Sequence, residues 1–393
     1  MIVEPKVRGF ICTTAHPAGC RENVRRQIEY VKGQPKTPGA KNVLVIGSST
    51  GYGLSSRIAA AYSCGASTVG VMFERPANGK RTASSGWYNT AAFEEFAHAD
   101  GLYAKTINGD AFSREIKEQA IGLIRRDLGQ VDMVVYSLAS PRRTVADGTT
   151  YSSVLKTTDS DYTNKTIDLN TRKISEVTVT PATQQEIDDT VKVMGGEDWK
   201  DWIAALGSAG VLAGGATTVA YSYIGPELTY PMYTNGSIGK AKEHLFATSQ
   251  EIAREFPGVS AYISVNKGLV TQSSAAIPIV PLYISILYRV MKDMGLHEGC
   301  IEQMYRMLHD RLLAKDVPTD ERGMIRLDDW EMRKDVQDAV SAAWDKISDE
   351  NLEQLADVAG YWEDFYQMFG FDIPGVDYSA DVNTEVSVPS IGE

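Results

Sequence analysis

Apolar and polar positions in the first 140 residues come in blocks. NVLVIGSST (42–50) is an apolar run that enters a Gly/Ser turn, and YGLSSRIAAAYSCG then carries small and apolar residues at helical spacing up to Gly65. STVGVMFE (67–74), LYAKTINGD (102–110) and MVVYSLAS (133–140) repeat the short β-branched run, with helical periodicity from Ser113 to Leu128 between the last two. A polar loop, 75–86, separates the second run from a helix near Tyr88–His98. Strands that are apolar throughout are buried on both faces, and their alternation with helices predicts an α/β fold. The expected form is a Rossmann-type, doubly wound parallel sheet with helices on both faces.

The rhythm breaks at 141–210. Polar and β-branched residues alternate in TIDLNTRKISEVTVT, which predicts a small antiparallel β-hairpin, and helices are expected near 184–193 and 197–207. Candidate fifth and sixth strands, TTVAYSYI (217–224) and SAYISVNKG (260–268), follow this insertion, so one elaborated domain over 1–376 is expected. The pattern is helical from Pro278, with a polar linker at 315–326 and a loose acidic tail at 377–393. The most apolar run, Ala275 to Leu287, contains Pro278 and Pro281 and is too short to span a bilayer. It reads as a buried segment or as the wall of an acyl-chain site.

Composition narrows the class. A net charge of −12 disfavours non-specific binding to nucleic acid or acidic membranes. Cys12, Cys20, Cys64 and Cys300 are too scattered for a disulfide framework or a zinc site, and no HExxH occurs, so no metal is expected. MIVEPKVRGF has no apolar signal-peptide core, and a cytoplasmic protein is expected.

The turn Gly47-Ser48-Ser49-Thr50-Gly51-Tyr52-Gly53 lies between a predicted strand and a predicted helix. Glycines there let the backbone approach a pyrophosphate, and the helix N-terminus offers free N–H groups to it. The second strand ends at Phe73-Glu74, where a carboxylate can accept hydrogen bonds from the adenosine ribose. An acid at that point repels a 2′-phosphate, so NADH is expected over NADPH, although Arg75 is adjacent. Asp110-Ala111 and Leu138-Ala139-Ser140 close the third and fourth strands and are expected to touch the same dinucleotide.

Chemistry is expected in TTVAYSYIGPELTYPMYTNGSIGKAK (217–242). Residues nine apart on one helix face opposite ways, so Tyr233 and Lys242 converge only if Tyr233 precedes the helix. Asn235 and Gly236 disfavour a helix interior, and Ser237 is a candidate N-cap. Lys240, the rival lysine, would point away from Lys242. Tyr221, Tyr223 and Tyr230 crowd the region, and Tyr223 ends the fifth strand within reach of a bound carbonyl. The residues alone reach a NAD-dependent reductase with a Tyr/Lys pair.

RGFICTTAHPAGC, GSSTGYG, VMFE, VKVMGGEDW, AYSYIGPELTYPMY, IGKAK, VTQSSAAIP and YWEDFYQMFGFD occur in that order. In these motifs the chain resembles the FabV-type enoyl reductases, also called trans-2-enoyl-CoA reductases, of the short-chain dehydrogenase/reductase superfamily. The nine-residue step from Tyr233 to Lys242 is similar to that of this family. The resemblance implies that NADH reduces the C2=C3 bond of a trans-2-enoyl thioester carried by coenzyme A or acyl carrier protein. It implies Tyr233 as proton donor, Lys242 on the nicotinamide ribose and lowering the phenol's pKa, and Tyr223 on the thioester carbonyl. Gly47, Ser48, Ser49, Thr50, Gly51, Tyr52, Phe73, Glu74, Asp110, Ala111, Leu138, Ala139, Leu269, Val270, Thr271, Gln272 and Ser273 would hold the cofactor. It also implies a monomer. A carbonyl reductase of the same superfamily and a dinucleotide-binding regulator without turnover are the alternatives.

Overall fold

Seven strands form one parallel sheet in the computed structural model, which describes every residue except Phe10, Ala275, Ala276, Gly392 and Glu393. They are β1 (Asn42–Ile46), β2 (Ser67–Met72), β3 (Ala104–Asn108), β4 (Val131–Tyr136), β5 (Leu212–Ser222), β6 (Ser260–Val265) and β7 (Ile325–Arg326). Their spatial order is β7-β6-β5-β4-β1-β2-β3, so the order reverses between β1 and β4. Ile46 pairs with Val71 on one side and Tyr136 on the other, and Ser222 with Val265, which brings the carboxyl ends of the strands to one edge. Ligands of doubly wound sheets bind in the crevice outside that reversal.

The apolar runs are apolar because both faces are covered. Leu44 and Ile46 face α4 (Arg114–Asp127) and α6 (Glu197–Ser208), whereas Val43 and Val45 face α2 (Gly51–Cys64). The helix α2 is itself enclosed, with Leu54, Ile58 and Ala61 packed on α1 (Pro17–Lys32) and α3 (Ser85–Ala99). All six expected strands are present, each ending before the turn residues that the sequence pattern ran into it. The seventh is a correction: β7 sits at the end of the segment read as a polar linker and pairs with Ser264 and Val265.

The insertion contains two hairpins, 142–152 and 162–179, then α5 (Gln184–Met194) and α6. It is tied to the sheet by two buried tryptophans, since Trp199 Nε1 donates to Thr218 Oγ1 (2.8 Å) and Trp202 Nε1 to the Ala111 carbonyl (3.1 Å). The helix α8 (Val280–Asp293) answers the question of the apolar run. Leu282, Tyr283, Ile284, Ile286 and Leu287 are buried against α9 (Lys334–Lys346) and α10 (Val358–Gln367), so they are core and not an open acyl-chain wall. Residues 275 and 276 of that run lie outside the described residues.

The acidic tail is not loose as far as it is described. Trp87 Nε1 donates to the Val386 carbonyl (2.7 Å), Tyr88 to that of Thr384 (2.8 Å), and Val388 is buried. Ser390 donates through its N–H and hydroxyl to Glu94 (2.9 and 2.8 Å). Glu94 in turn lies 3.8 Å from Arg57, the two side chains being 0% and 1% exposed. Acidic character predicts solvation, but here one buried carboxylate recruits the tail's own donors. Removing one member of a buried pair strands the other charge. Glu94→Ala is therefore expected to cost about 3–5 kcal/mol in urea unfolding, and Ser390→Ala about 1 kcal/mol.

Candidate functional site

The crevice at the reversal is built first by backbone. Gly47 has φ 81°, and a Cβ there would strike the Ser137 carbonyl after β4. A Cβ on Gly53 would strike the Gly47 carbonyl, so this glycine lets α2 start against the end of β1. Thr50 is the N-cap residue but makes no side-chain cap, which leaves the first N–H groups of α2 open to an anion. Ser48 and Ser49 are buried, and Tyr52 reaches across to donate to the Lys267 carbonyl (2.7 Å).

The second strand delivers Phe73 and Glu74 as expected. Phe73 is 78% exposed. Glu74 accepts from Ser49 Oγ (2.7 Å), and its backbone is clamped by Asn108 in both directions (2.7 and 2.9 Å). Asp110 accepts from the Phe112 N–H, and Ala111 is held by Trp202. Leu138 and Ala139 follow β4 beside Gly47. In the loop after β6, Leu269 and Val270 are buried in the core around α8, leaving Thr271, Gln272 and Ser273 as the accessible residues. The glycine cradle, the open helix terminus and the Glu74 carboxylate at the end of β2 fit a dinucleotide.

Tyr233 precedes α7 (Ser237–Glu255), as the spacing requires. Its loop folds back over the first turn, and a Cβ on Gly239 would strike the Tyr233 carbonyl. The N-cap is Gly236 and not Ser237, whose hydroxyl donates to the Val154 carbonyl (2.6 Å). Lys240 is exposed, whereas Lys242 points inward and donates to the Tyr221 carbonyl on β5 (3.1 Å). Tyr223 and Tyr233 meet edge to face, ring centroids 4.7 Å apart at 75°. Tyr221 turns instead to Ser56 on α2 (2.5 Å).

The electrostatics depart from expectation in one respect. Burial, with a smaller contribution from the Glu331 carboxylate, pushes the Tyr233 phenol up, where proximity to Lys242 had been expected to bring it down. Burial alone lowers Lys242 to about 8. Sequence reasoning missed Glu331 altogether. It is fully buried and accepts from Tyr223 (2.9 Å) and Tyr283 (2.6 Å) at one oxygen, and from the Gly268 N–H (2.7 Å) at the other. Nothing in DDWEM distinguishes a buried glutamate from its acidic neighbours.

Comparison with known proteins agrees along the whole chain. Residues 2–79 match a family model described as the NAD(P)H binding domain of trans-2-enoyl-CoA reductase, and 81–313 its catalytic region. Residues 319–382 match one described as an enoyl reductase FAD binding domain. The chain is 57% identical to the NADH enoyl-[acyl-carrier-protein] reductase of Flavobacterium johnsoniae, over 100% of both chains. It is 54% identical to the NADH trans-2-enoyl-CoA reductase of Ruminiclostridium cellulolyticum, again over 100% of both. The crystal structure of Treponema denticola trans-2-enoyl-CoA reductase in complex with NAD superposes with a TM-score of 0.94, at 49% identity over 99% of each chain.

The flavin description does not fit residues 319–382. Val336, Val340, Trp344, Val358, Tyr361 and Phe365 fill the interior of that segment against α8, and among the described residues it has no strand–glycine turn–helix cradle. The dinucleotide site does make a prediction. Glu74→Ala is expected to reduce the ratio of NADPH to NADH dissociation constants by about tenfold or more, since it removes a like-charge clash worth over about 1.4 kcal/mol. Fluorescence titration with both nucleotides measures it, and an unaltered ratio refutes the role.

Proposed function

The chain belongs to the trans-2-enoyl-CoA reductase family, and from that premise we propose that it reduces the C2=C3 bond of trans-2-enoyl thioesters with NADH, Tyr233 serving as proton donor. The observation that carries this reading is the meeting of Tyr223 and Tyr233 beyond the end of β5, beside the glycine turn whose Tyr52 packs on Tyr221 (6.0 Å between centroids). Relatives of nearly equal identity are named for acyl carrier protein and for coenzyme A, so the thioester is the shared chemistry.

The reduced nicotinamide, when bound, supplies hydride to the β-carbon. Negative charge then gathers on the thioester oxygen, within reach of the hydroxyls of Tyr233 and of Tyr223, the latter donating to Glu331 in this structure. The raised pKa of Tyr233 keeps it protonated near neutrality, which a donor needs; proton transfer to the α-carbon completes the reduction. Lys242, anchored on the Tyr221 carbonyl, directs an ammonium into the crevice as a donor for ribose hydroxyls. Gly47, Ser48, Ser49, Thr50, Gly51 and Tyr52 hold the pyrophosphate, and Phe73, Glu74, Asp110 and Ala111 the adenosine. Leu138, Ala139, Thr271, Gln272 and Ser273 line the nicotinamide end, and Leu269 and Val270, whose side chains are buried in the core, contribute only backbone there.

In this reading the protein is a cytoplasmic monomer. The exposed large apolar side chains among the described residues are Met1, Ile2, Ile11, Phe73 and Met294, too few for an extended apolar interface. All four cysteines are free thiols.

With crotonyl-CoA, NADH absorbance is expected to fall as butyryl-CoA forms; no oxidation with any enoyl thioester sinks the reading. Tyr233→Phe should lower kcat by about 10²–10⁴-fold while NADH affinity stays within about twofold. Unchanged turnover removes Tyr233 from the mechanism.

A further inference from the structure

The hydroxyls of Tyr223 and Tyr283 converge on one carboxylate oxygen of Glu331, at 2.9 and 2.6 Å, and that carboxylate is 0% exposed. The three groups come from the end of β5, from α8 and from the segment after β7, so they owe their meeting to the tertiary fold. A phenol has one proton to donate. While Glu331 is ionised, both phenols spend that proton on it, and Tyr223 can show a thioester oxygen only lone pairs. Once Glu331 is protonated, it is the donor, and the Tyr223 proton can turn to the substrate.

We propose that Glu331 is a positioning residue that takes up one proton when the thioester binds and thereby releases the Tyr223 hydroxyl to donate to the thioester oxygen. This rests on the enoyl thioester reading above. The step balances: solvent supplies the proton to the Glu331 carboxylate, the Tyr223-to-Glu331 hydrogen bond is lost, and one from Tyr223 to the thioester oxygen replaces it. No covalent bond to carbon changes.

Opposing groups act on the Glu331 carboxyl. Burial pushes the Glu331 carboxyl up, and Asp328 on its own segment adds to this. Lys267, the Tyr283 hydroxyl and the Gly268 N–H pull the other way, the last at 2.7 Å on the second oxygen. Tyr233 faces the group from its loop. From α9, Gln337 donates to the Tyr283 oxygen (3.3 Å) and the Glu331 carbonyl (2.7 Å). Lys267, itself lowered to about 8 by burial, is a buried cation whose charge acts on Glu331.

Binding of the saturated thioester butyryl-CoA to the NAD-loaded protein tests this without turnover. Calorimetry in two buffers of different ionisation enthalpy counts protons taken up, from about pH 6 to pH 9. The linkage sign is definite: binding favours protonated Glu331, so affinity falls as pH rises through its pKa, by about tenfold per unit for one proton. Wild type should show uptake rising towards one proton, with that fall. Glu331→Gln, whose amide can donate to the phenols as the protonated acid does, should show neither, and Tyr223→Phe should abolish the difference between the two. NADH titration confirms that each variant folds. Equal proton uptake in wild type and Glu331→Gln overturns the proposal while leaving the enoyl thioester reading intact. Absence of butyryl-CoA binding with NADH binding preserved overturns that reading and the proposal with it.

Discussion

The approach of α2 to the end of β1 is the contact on which the rest of the site depends. With Gly53 against the Gly47 carbonyl and Gly47 against Ser137, three backbones occupy a space that any Cβ would fill. This fixes where the open N-terminus of α2 points, and it sets the loop after β4 beside it. Because neighbouring strands are paired in step, the ends of β2, β5 and β6 deliver Glu74, Tyr223 and Gly268 to the same edge. The chemistry inherits its geometry from hydrogen-bond register as much as from side-chain packing.

The second close approach, the Tyr233 loop over the first turn of α7, has the same character. Gly239 removes the side chain that would hold the loop away. The loop then seats one aromatic ring against another, and the helix behind it presents Lys242 inward while Lys240 stays in solvent. Tyr223 just past β5, Tyr233 in a loop packed on α7 and Lys242 on α7 are thus held in place, which lowers the cost of orienting them for reaction.

What could be read in the amino-acid sequence followed from short-range regularity. Continuous apolar runs gave six strands, period-two alternation gave the 162–179 hairpin, and helix geometry placed Tyr233 outside α7 and chose Lys242 over Lys240. The features that escaped have no local pattern. β7 is two residues long, and its partner lies about 60 residues earlier. Ser390 finds Glu94 across 296 residues, so a tail that looks solvated is docked. Glu331 is indistinguishable in sequence from the acids around it, of which Asp328 is buried, Asp329 half-buried and Asp335 exposed, and α8 looked like a ligand wall because core and binding surfaces share the same apolar composition.

Glu331 also bears on the direction of charge in the reaction. A thioester oxygen held by Tyr223 lies two hydrogen bonds from the carboxylate, roughly 5–6 Å. An enolate forming there beside an ionised carboxylate would be opposed by about 3 kcal/mol at an effective dielectric of about 20, or about a hundredfold in rate. The same carboxylate raises the Tyr233 phenol and weakens it as an acid. Both effects vanish when Glu331 carries a proton. One protonation therefore frees the Tyr223 donor, removes the charge facing the enolate and strengthens the acid at Tyr233. Burial favours that protonation by disfavouring the anion, while Lys267 and the Gly268 N–H favour the anion.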